Sequence, residues 1–180
     1  MGIDARELRN CLGRFATGVT VVACRTDDGI HGVTVNAFSA VSLDPPLVLV
    51  SVDRRSRACR HLEDTPFAVN VLPETGQDLA LHFAGRPQRD LDVDWDDEGP
   101  APRLAGCVAF FACSPWARYD GGDHVIYLGK IEEFAGGNGD PLVFHGGRFR
   151  GLGEGLAGSP WLDSLDCPSG AGWFSALSTR

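Results

Sequence analysis

The sequence predicts a mainly β protein, an antiparallel barrel with short added helices. Short runs rich in β-branched residues recur along the chain, separated by Gly, Asp and Pro turns. Segments with helical spacing are few, and they do not alternate with the strands as the crossovers of a parallel sheet require. With 180 residues, 43% hydrophobic and 22% charged, the chain has the size and composition of one soluble domain.

The elements follow in order. In "DARELRNCLGRFA", Asp4 can cap a helix and Glu7 stands three residues on. Leu8, Cys11, Leu12 and Phe15 recur at helical spacing as one apolar face, and Gly18 is the expected stop. "VTVVACR" and "IHGVTVNAF", separated by Thr26-Asp27-Asp28-Gly29, read as a hairpin. The stretch "GVTVNAFSAVSLDPPLVLVSV" reads as two strands meeting at Pro45-Pro46. A short helix in "RSRACRHLED", a strand in "FAVNVL" and a short helix in "TGQDLALHFAG" closed by Gly85 come next. A polar, acidic loop runs from Arg86 to Arg103. The strands "CVAFFACSPWARY", "HVIYLGKIEEFA" and "PLVFHGG" complete the series. From Gly151 the composition shifts to Gly, Ser, Pro and Ala. Residues 1–152 are therefore read as the domain. Residues 153–180 are read as an arm, with Trp161, Leu162, Leu165, Trp173 and Phe174 as apolar anchors.

Sixteen basic against twenty-four acidic residues give a net charge of -8, which argues against a nucleic-acid partner. "MGIDARELRN" lacks the apolar segment of a signal peptide, and no run reaches the length of a membrane span. Both point to the cytoplasm and to no membrane partner. The six cysteines, at 11, 24, 59, 107, 113 and 167, form no CxxC and no metal-ligand spacing with His. They read as free thiols in the core. No metal site is expected.

"GEGLAG", Gly153 to Gly158, matches GxGxxG, but Ser159-Pro160 interrupts the helix that a dinucleotide fingerprint needs. Asp90, Asp92 and Asp94 imitate a calcium loop, yet Trp95 and Ala101 stand where Gly and Glu belong. There is neither GxSxG nor HExxH. What remains is polar decoration on apolar strands: Thr34, Asn36, Ser39, Ser42 and Ser51. Either these are outward positions of ordinary strands, or they meet the polar edges of a flat, apolar ring. "DRRSR" beyond the strand offers Ser56 with Arg54, Arg55 or Arg57 for a phosphate.

The ordered set "FATGVTVVAC", "GIHGVTVNAFSAVSLDPPLVLVSV", "PFAVNVL", "LALHFAG", "GGDHVIYLGKI" and "PLVFHGGRF" resembles the short-chain flavin reductase family, from about Leu12 to Leu152. The resemblance implies an antiparallel split β-barrel of the flavin-binding type, with peripheral helices, assembled as a homodimer. It implies NAD(P)H:flavin oxidoreductase activity with FAD or FMN and NADH or NADPH, supplying reduced flavin to a separate flavin-dependent monooxygenase component. Thr34, Val35, Asn36 and Ala37 would meet the isoalloxazine ring, and Ser51 and Val52 the ribityl chain. Ser56, with Arg55 or Arg57, would bind phosphate, and Phe83 and Ala84 would border the phosphate or adenine end. His124 would stand where the nicotinamide nucleotide approaches, as the catalytic candidate, with Phe149 near the nicotinamide. The chain has Ser56-Arg57-Ala58 where relatives often show Ser-x-Thr, and Phe149 in place of a frequent Tyr.

The chemistry agrees with the resemblance. Hydride transfer between two heterocycles needs stacking and exclusion of water more than an acid-base constellation. His31, His61, His82 and His145 read as surface or structural. Two rivals stand beside this reading: a split-barrel oxidase with tightly held flavin, and a non-catalytic flavin- or haem-binding module.

Overall fold

The computed structural model describes residues 2–155, so most of the arm, with Cys167 and its five apolar anchors, lies outside the described residues. Helix α1 (Ala5–Leu12) starts at Asp4, whose carboxylate accepts from the amides of Arg6 and Glu7 at 2.8 and 2.9 Å. It ends at Gly13 rather than at Gly18. The Gly13 carbonyl accepts from the amide of Gly146 at 2.8 Å, a contact from the far end of the chain that no local signal announces. The apolar face of α1 is not covered by the barrel: Leu8 and Leu12 are exposed, as is Phe15 just beyond the helix. Cys11 is exposed with them, which corrects the expectation of a core thiol, whereas Cys24, Cys107 and Cys113 are buried and Cys59 is half-buried.

Strand β1 (Thr17–Gly18) leads into β2 (Thr20–Thr26), and a turn at Asp27 and Asp28 returns the chain as β3 (Gly29–Val35). Gly29 takes the positive φ, 109°, that this tight turn requires. The expected single strand through Leu43 is two: Asn36 and Ala37 interrupt it, and β4 (Phe38–Leu43) starts afresh. β5 (Pro46–Asp53), a 3-10 turn (Arg57–Arg60), β6 (Phe67–Val71) and helix α2 (Gln77–Phe83) follow. The acidic loop holds a small antiparallel pair, β7 (Trp95–Asp96) with β8 (Arg103–Leu104). Two hairpins close the domain: β9 (Ala109–Gly121) with β10 (His124–Gly136), and β11 (Val143–His145) with β12 (Arg148–Arg150). β1 joins β11 and β12 in a three-stranded sheet.

The main sheet has the order β3-β2-β6-β9-β10-β5-β4, with every neighbouring pair antiparallel. Its outermost strands, β3 and β4, are consecutive in the chain. Laid flat, seven strands at about 4.8 Å spacing would hold those edges roughly 29 Å apart. The three peptide links from Val35 to Phe38 span at most about 11 Å. The sheet must therefore roll into a barrel. The two edges do not hydrogen-bond to each other, since β3 pairs with β2 and β4 with β5. The barrel is split there, and the 3-10 turn packs against both β3 and β5.

Alternation along the strands makes two cores. Val22 and Cys24 of β2, Val48, Val50 and Val52 of β5, and Phe67 and Val69 of β6 fill the barrel with Leu62 and Tyr127. The opposite faces of β2 and β6, at Val21 and Ala68, pack with Ala80 of α2, Leu104 and Phe110 in an outer core. Asn70 joins β6 to its surroundings. It is fully buried, and its Nδ2 donates to the carbonyls of Val21 and Pro102 at 3.2 and 3.3 Å, while its Oδ1 accepts from the Leu104 amide at 2.8 Å. Replacing Asn70 by Ala leaves the buried Pro102 carbonyl and Leu104 amide short of a partner, each worth about 1–3 kcal/mol. Chemical denaturation of Asn70→Ala is expected to show a loss of at least about 2 kcal/mol.

Candidate functional site

An edge strand points half of its peptide groups away from the sheet. Along the unpaired edge of β3 runs an open cleft of about 800 Å³. Ile30, Val33 and Thr34 supply one wall. Asp53, Arg55, Ser56 and Arg57, where β5 runs into the 3-10 turn, supply the second. The end of α2, at His82, Phe83 and Ala84, supplies the third. The expected residues Thr34, Arg55, Ser56, Phe83 and Ala84 are therefore brought to one place.

Local chemistry holds each wall. The Thr34 hydroxyl donates to the Ala80 carbonyl at 2.7 Å and fastens β3 to α2. Phe83 meets Trp95 and His82 edge-on, with ring centroids 5.8 and 5.0 Å away. Its ring lies against Gly32, where a Cβ would stand 2.8 Å from two ring carbons, so only glycine lets the ring come so close. Ser56 caps the 3-10 turn, its hydroxyl accepting from the Ala58 amide at 3.3 Å. Arg55 grips Asp53 through two side-chain bonds of 3.0 and 2.6 Å. That guanidinium holds the Asp53 carboxyl well below the usual carboxylate range.

A second cleft, about 550 Å³, reaches the β3–β4 break at Asn36, two residues beyond Thr34 of the first. Asn36 lines it with Arg9, Arg14, Phe15 and Phe144. The Asn36 Nδ2 donates to the Thr17 hydroxyl at 3.3 Å, which leaves its carbonyl oxygen available as an acceptor. Phe149 stands behind this cleft, its ring 5.4 Å from that of Phe144. Ala37 is exposed, and its carbonyl accepts from the Ser51 amide at 3.0 Å, stitching the break to β5. Val35 and Val52 are buried in the barrel core, so toward a ligand they offer backbone atoms alone.

His124 opens β10 directly opposite Asp53 of β5. Its Nδ1 lies 2.7 Å from the Asp123 carboxylate, which orients the ring and leaves Nε2 free. The amide of Arg54 donates to the Asp123 carbonyl at 3.0 Å, tying the two strand ends together. His124 thus stands beside the Asp53 end of the first cleft, on the partner strand.

Two residues read as surface or structural belong to the site. His31 and His82 line the first cleft, and the His31 ring lies 6.1 Å from that of His61. The HG pair before "VTVN" carries no signal that separates a ligand-facing histidine from a surface one. It became visible only with the free edge of β3. Burial first, then Arg57 and His61, lowers the His31 pKa below its ordinary value.

Residues 12–153 match the family described as "Flavin reductase like domain". An "FMN reductase (NADH) SmoA" of Agrobacterium fabrum is 46% identical over 151 residues, covering 82% of this chain and 86% of that protein. A "Flavin-dependent monooxygenase, reductase subunit HsaB" of Mycobacterium tuberculosis is 34% identical over 171 residues, 91% of each chain. Among solved structures, "Flavin reductase PheA2 in native state" superposes with a TM-score of 0.81 at 33% identity, over 84% of this chain and 100% of that one.

The His31 shift has a defined sign. With the folded pKa below the unfolded value of about 6.5, the unfolded chain takes the proton first as pH falls. The cost is absent above about pH 6.5, grows as pH falls through that value, and is complete below the folded pKa. His31→Gln removes it. Urea denaturation at pH 7.5 and 5.5 is expected to show a smaller loss of stability on acidification in the variant than in the wild type.

Proposed function

The chain belongs to the flavin reductase like domain family, and we propose that it transfers hydride from NADH or NADPH to FAD or FMN. The observation that carries this is the first cleft. It follows an unpaired strand edge, with apolar contacts from Val33 and Phe83 and a polar lining of Arg55, Ser56, Arg57, His31 and His82. That layout fits a flat ring continued by a phosphorylated tail: free peptide groups for the ring edges, Val33 and Phe83 for contact, cations for the phosphate.

A flavin supplies the hydride acceptor, and a reduced nicotinamide the donor. The residues of the chain hold, orient and desolvate them. The backbone from Thr34 to Ala37 offers donors and acceptors at the β3–β4 break, and the Asn36 side-chain oxygen can accept from a ring N–H. Ser51, at the level of Ala37, stands beside the tail. Ser56 and Arg57 take the phosphate, since Arg55 is engaged by Asp53. Ala84 and Phe83 border the far end. The second cleft leads the nicotinamide nucleotide to the same break, past Phe149, and His124, held by Asp123, contacts that nucleotide.

An open cleft suits a flavin that leaves after reduction, so the partner is a separate flavin-dependent monooxygenase component. The relative named as the reductase subunit of such an enzyme supports this. A homodimer is supported by uncovered apolar side chains at the end of α1 and just beyond it, Leu12 at 66% and Phe15 at 78% exposure. The cytoplasm is the compartment of this reading; among the described residues no helix is long and apolar enough to cross a membrane. Residues 153–180 are an arm outside the reductase domain, a division that the end of the family match at residue 153 supports.

Steady-state oxidation of NADH and NADPH with added FAD, FMN and riboflavin tests the function. Turnover of at least one added flavin is expected, and its absence with every flavin contradicts the reading. Flavin retained through purification with little turnover of added flavin would instead indicate an oxidase with a fixed prosthetic group. His124→Ala is expected to lower kcat/KM for the nicotinamide nucleotide about tenfold, the scale of one lost charge-assisted hydrogen bond, with the flavin Kd nearly unchanged. Equal loss of both removes His124 from the nucleotide side.

A further inference from the structure

The basic end of the first cleft is assembled from three separate elements. β3 supplies His31, the 3-10 turn supplies Arg57 with His61 just beyond it, and α2 supplies His82. Among the described residues lining the cleft, Asp53 is the single carboxylate, and Arg55 already holds both of its oxygens. No carboxylate among the described residues lies within ion-pair reach of Arg57. The His82 Nδ1 accepts from the Gln88 amide at 3.2 Å, which fixes that ring on the wall of the cleft. β2 places only the buried Cys24 opposite His31, a thiol pushed up to about 11 by burial. His31 therefore lines this end beside the unpaired Arg57 and the His61 ring, and burial with these two neighbours opposes its protonation until an anion arrives.

We propose that His31 is a specificity-determining residue of the cleft, a ring that takes up a proton as it grips the phosphate of a flavin nucleotide. The inference rests on the flavin reading above. A phosphate placed among Ser56, Arg57 and His31 reverses the local field: it screens Arg57 and rewards the imidazolium. By linkage, whatever the anion adds to proton affinity the proton adds to anion affinity. Binding of a phosphorylated flavin then strengthens as pH falls toward the ring's free-state pKa. Binding of riboflavin, which has no phosphate, does not change. Neither Ser56 nor the permanently charged Arg57 can confer such a dependence.

The test is the dissociation constant of FAD and of riboflavin, from flavin fluorescence, between pH 5.5 and 8. FAD is the probe because its pyrophosphate keeps one charge state across that range. The Kd of FAD is expected to rise several-fold toward high pH, up to about tenfold for each unit by which the ring's pKa is displaced. Riboflavin should give a flat line. His31→Gln should flatten the FAD profile and narrow the preference for FAD over riboflavin, while His61→Gln keeps the slope. A measurement on the wild type guards against a misfolded variant: by NMR, the His31 ring titration should move to higher pH with FAD and stay in place with riboflavin. A pH-independent FAD affinity, a slope that survives in His31→Gln, or an unmoved His31 resonance would each overturn the proposal. Absence of binding by FAD, FMN and riboflavin alike at every pH would overturn the flavin reading itself, a distinguishable failure.

Discussion

A two-residue connection governs this molecule. Asn36 and Ala37 join strands that occupy opposite edges of a seven-stranded sheet, and so short a link forces the sheet to close on itself. Closure by covalent reach rather than by a hydrogen-bonded seam leaves β3 with one unpaired edge. An exposed edge is ordinarily a hazard that proteins cover or interrupt. Here the 3-10 turn, α2 and the Asp53 end of β5 surround it and make it the floor of a cleft. The barrel core pins the geometry from within: Val35 just before the break and Val50 and Val52 on β5 are buried together, so the break cannot drift relative to the second wall.

The same break orders the chemistry. One cleft is lined by Thr34, just before it, and the other by Asn36, within it, so only Val35 separates the two lining positions in the chain. Opposed flat molecules need little from side chains at the point of reaction, since the electrons move between the molecules themselves. The protein's charge is spent at the periphery: Arg55 on Asp53, Asp123 on His124, and Arg57 with His31 left to face an anion. An acidic chain of net charge -8 thus keeps a local group of basic side chains in this cleft.

Most strands were legible because β-branched runs and Gly or Asp turns are local signals, as in the β2–β3 hairpin with its Gly29. The β3–β4 break was not. "VTVNAFSAV" contains no breaker, and only the demand that one chain serve both edges of the barrel divides it. The α1 terminus and the β7–β8 pair escaped for a similar reason: Gly13 is fixed by Gly146, and Leu104 by the buried Asn70. At the site, the ordered motifs located Thr34, Ser56 and Phe83, which the fold brings to one cleft. They could not expose His31 and His82, because whether a strand or helix histidine faces a cavity depends on walls contributed from distant segments. The buried positions of Val35 and Val52 likewise follow from barrel closure, which leaves them only backbone atoms to offer.

The central claim is spatial: a flavin lies along the free edge of β3 with its phosphate end toward Ser56 and Arg57. A crystal structure of the protein with FAD tests it most directly. Ring density is expected against the backbone from Thr34 to Ala37, and pyrophosphate density between Ser56, Arg57 and His31. Clear FAD density elsewhere, with the edge of β3 facing solvent, would contradict it.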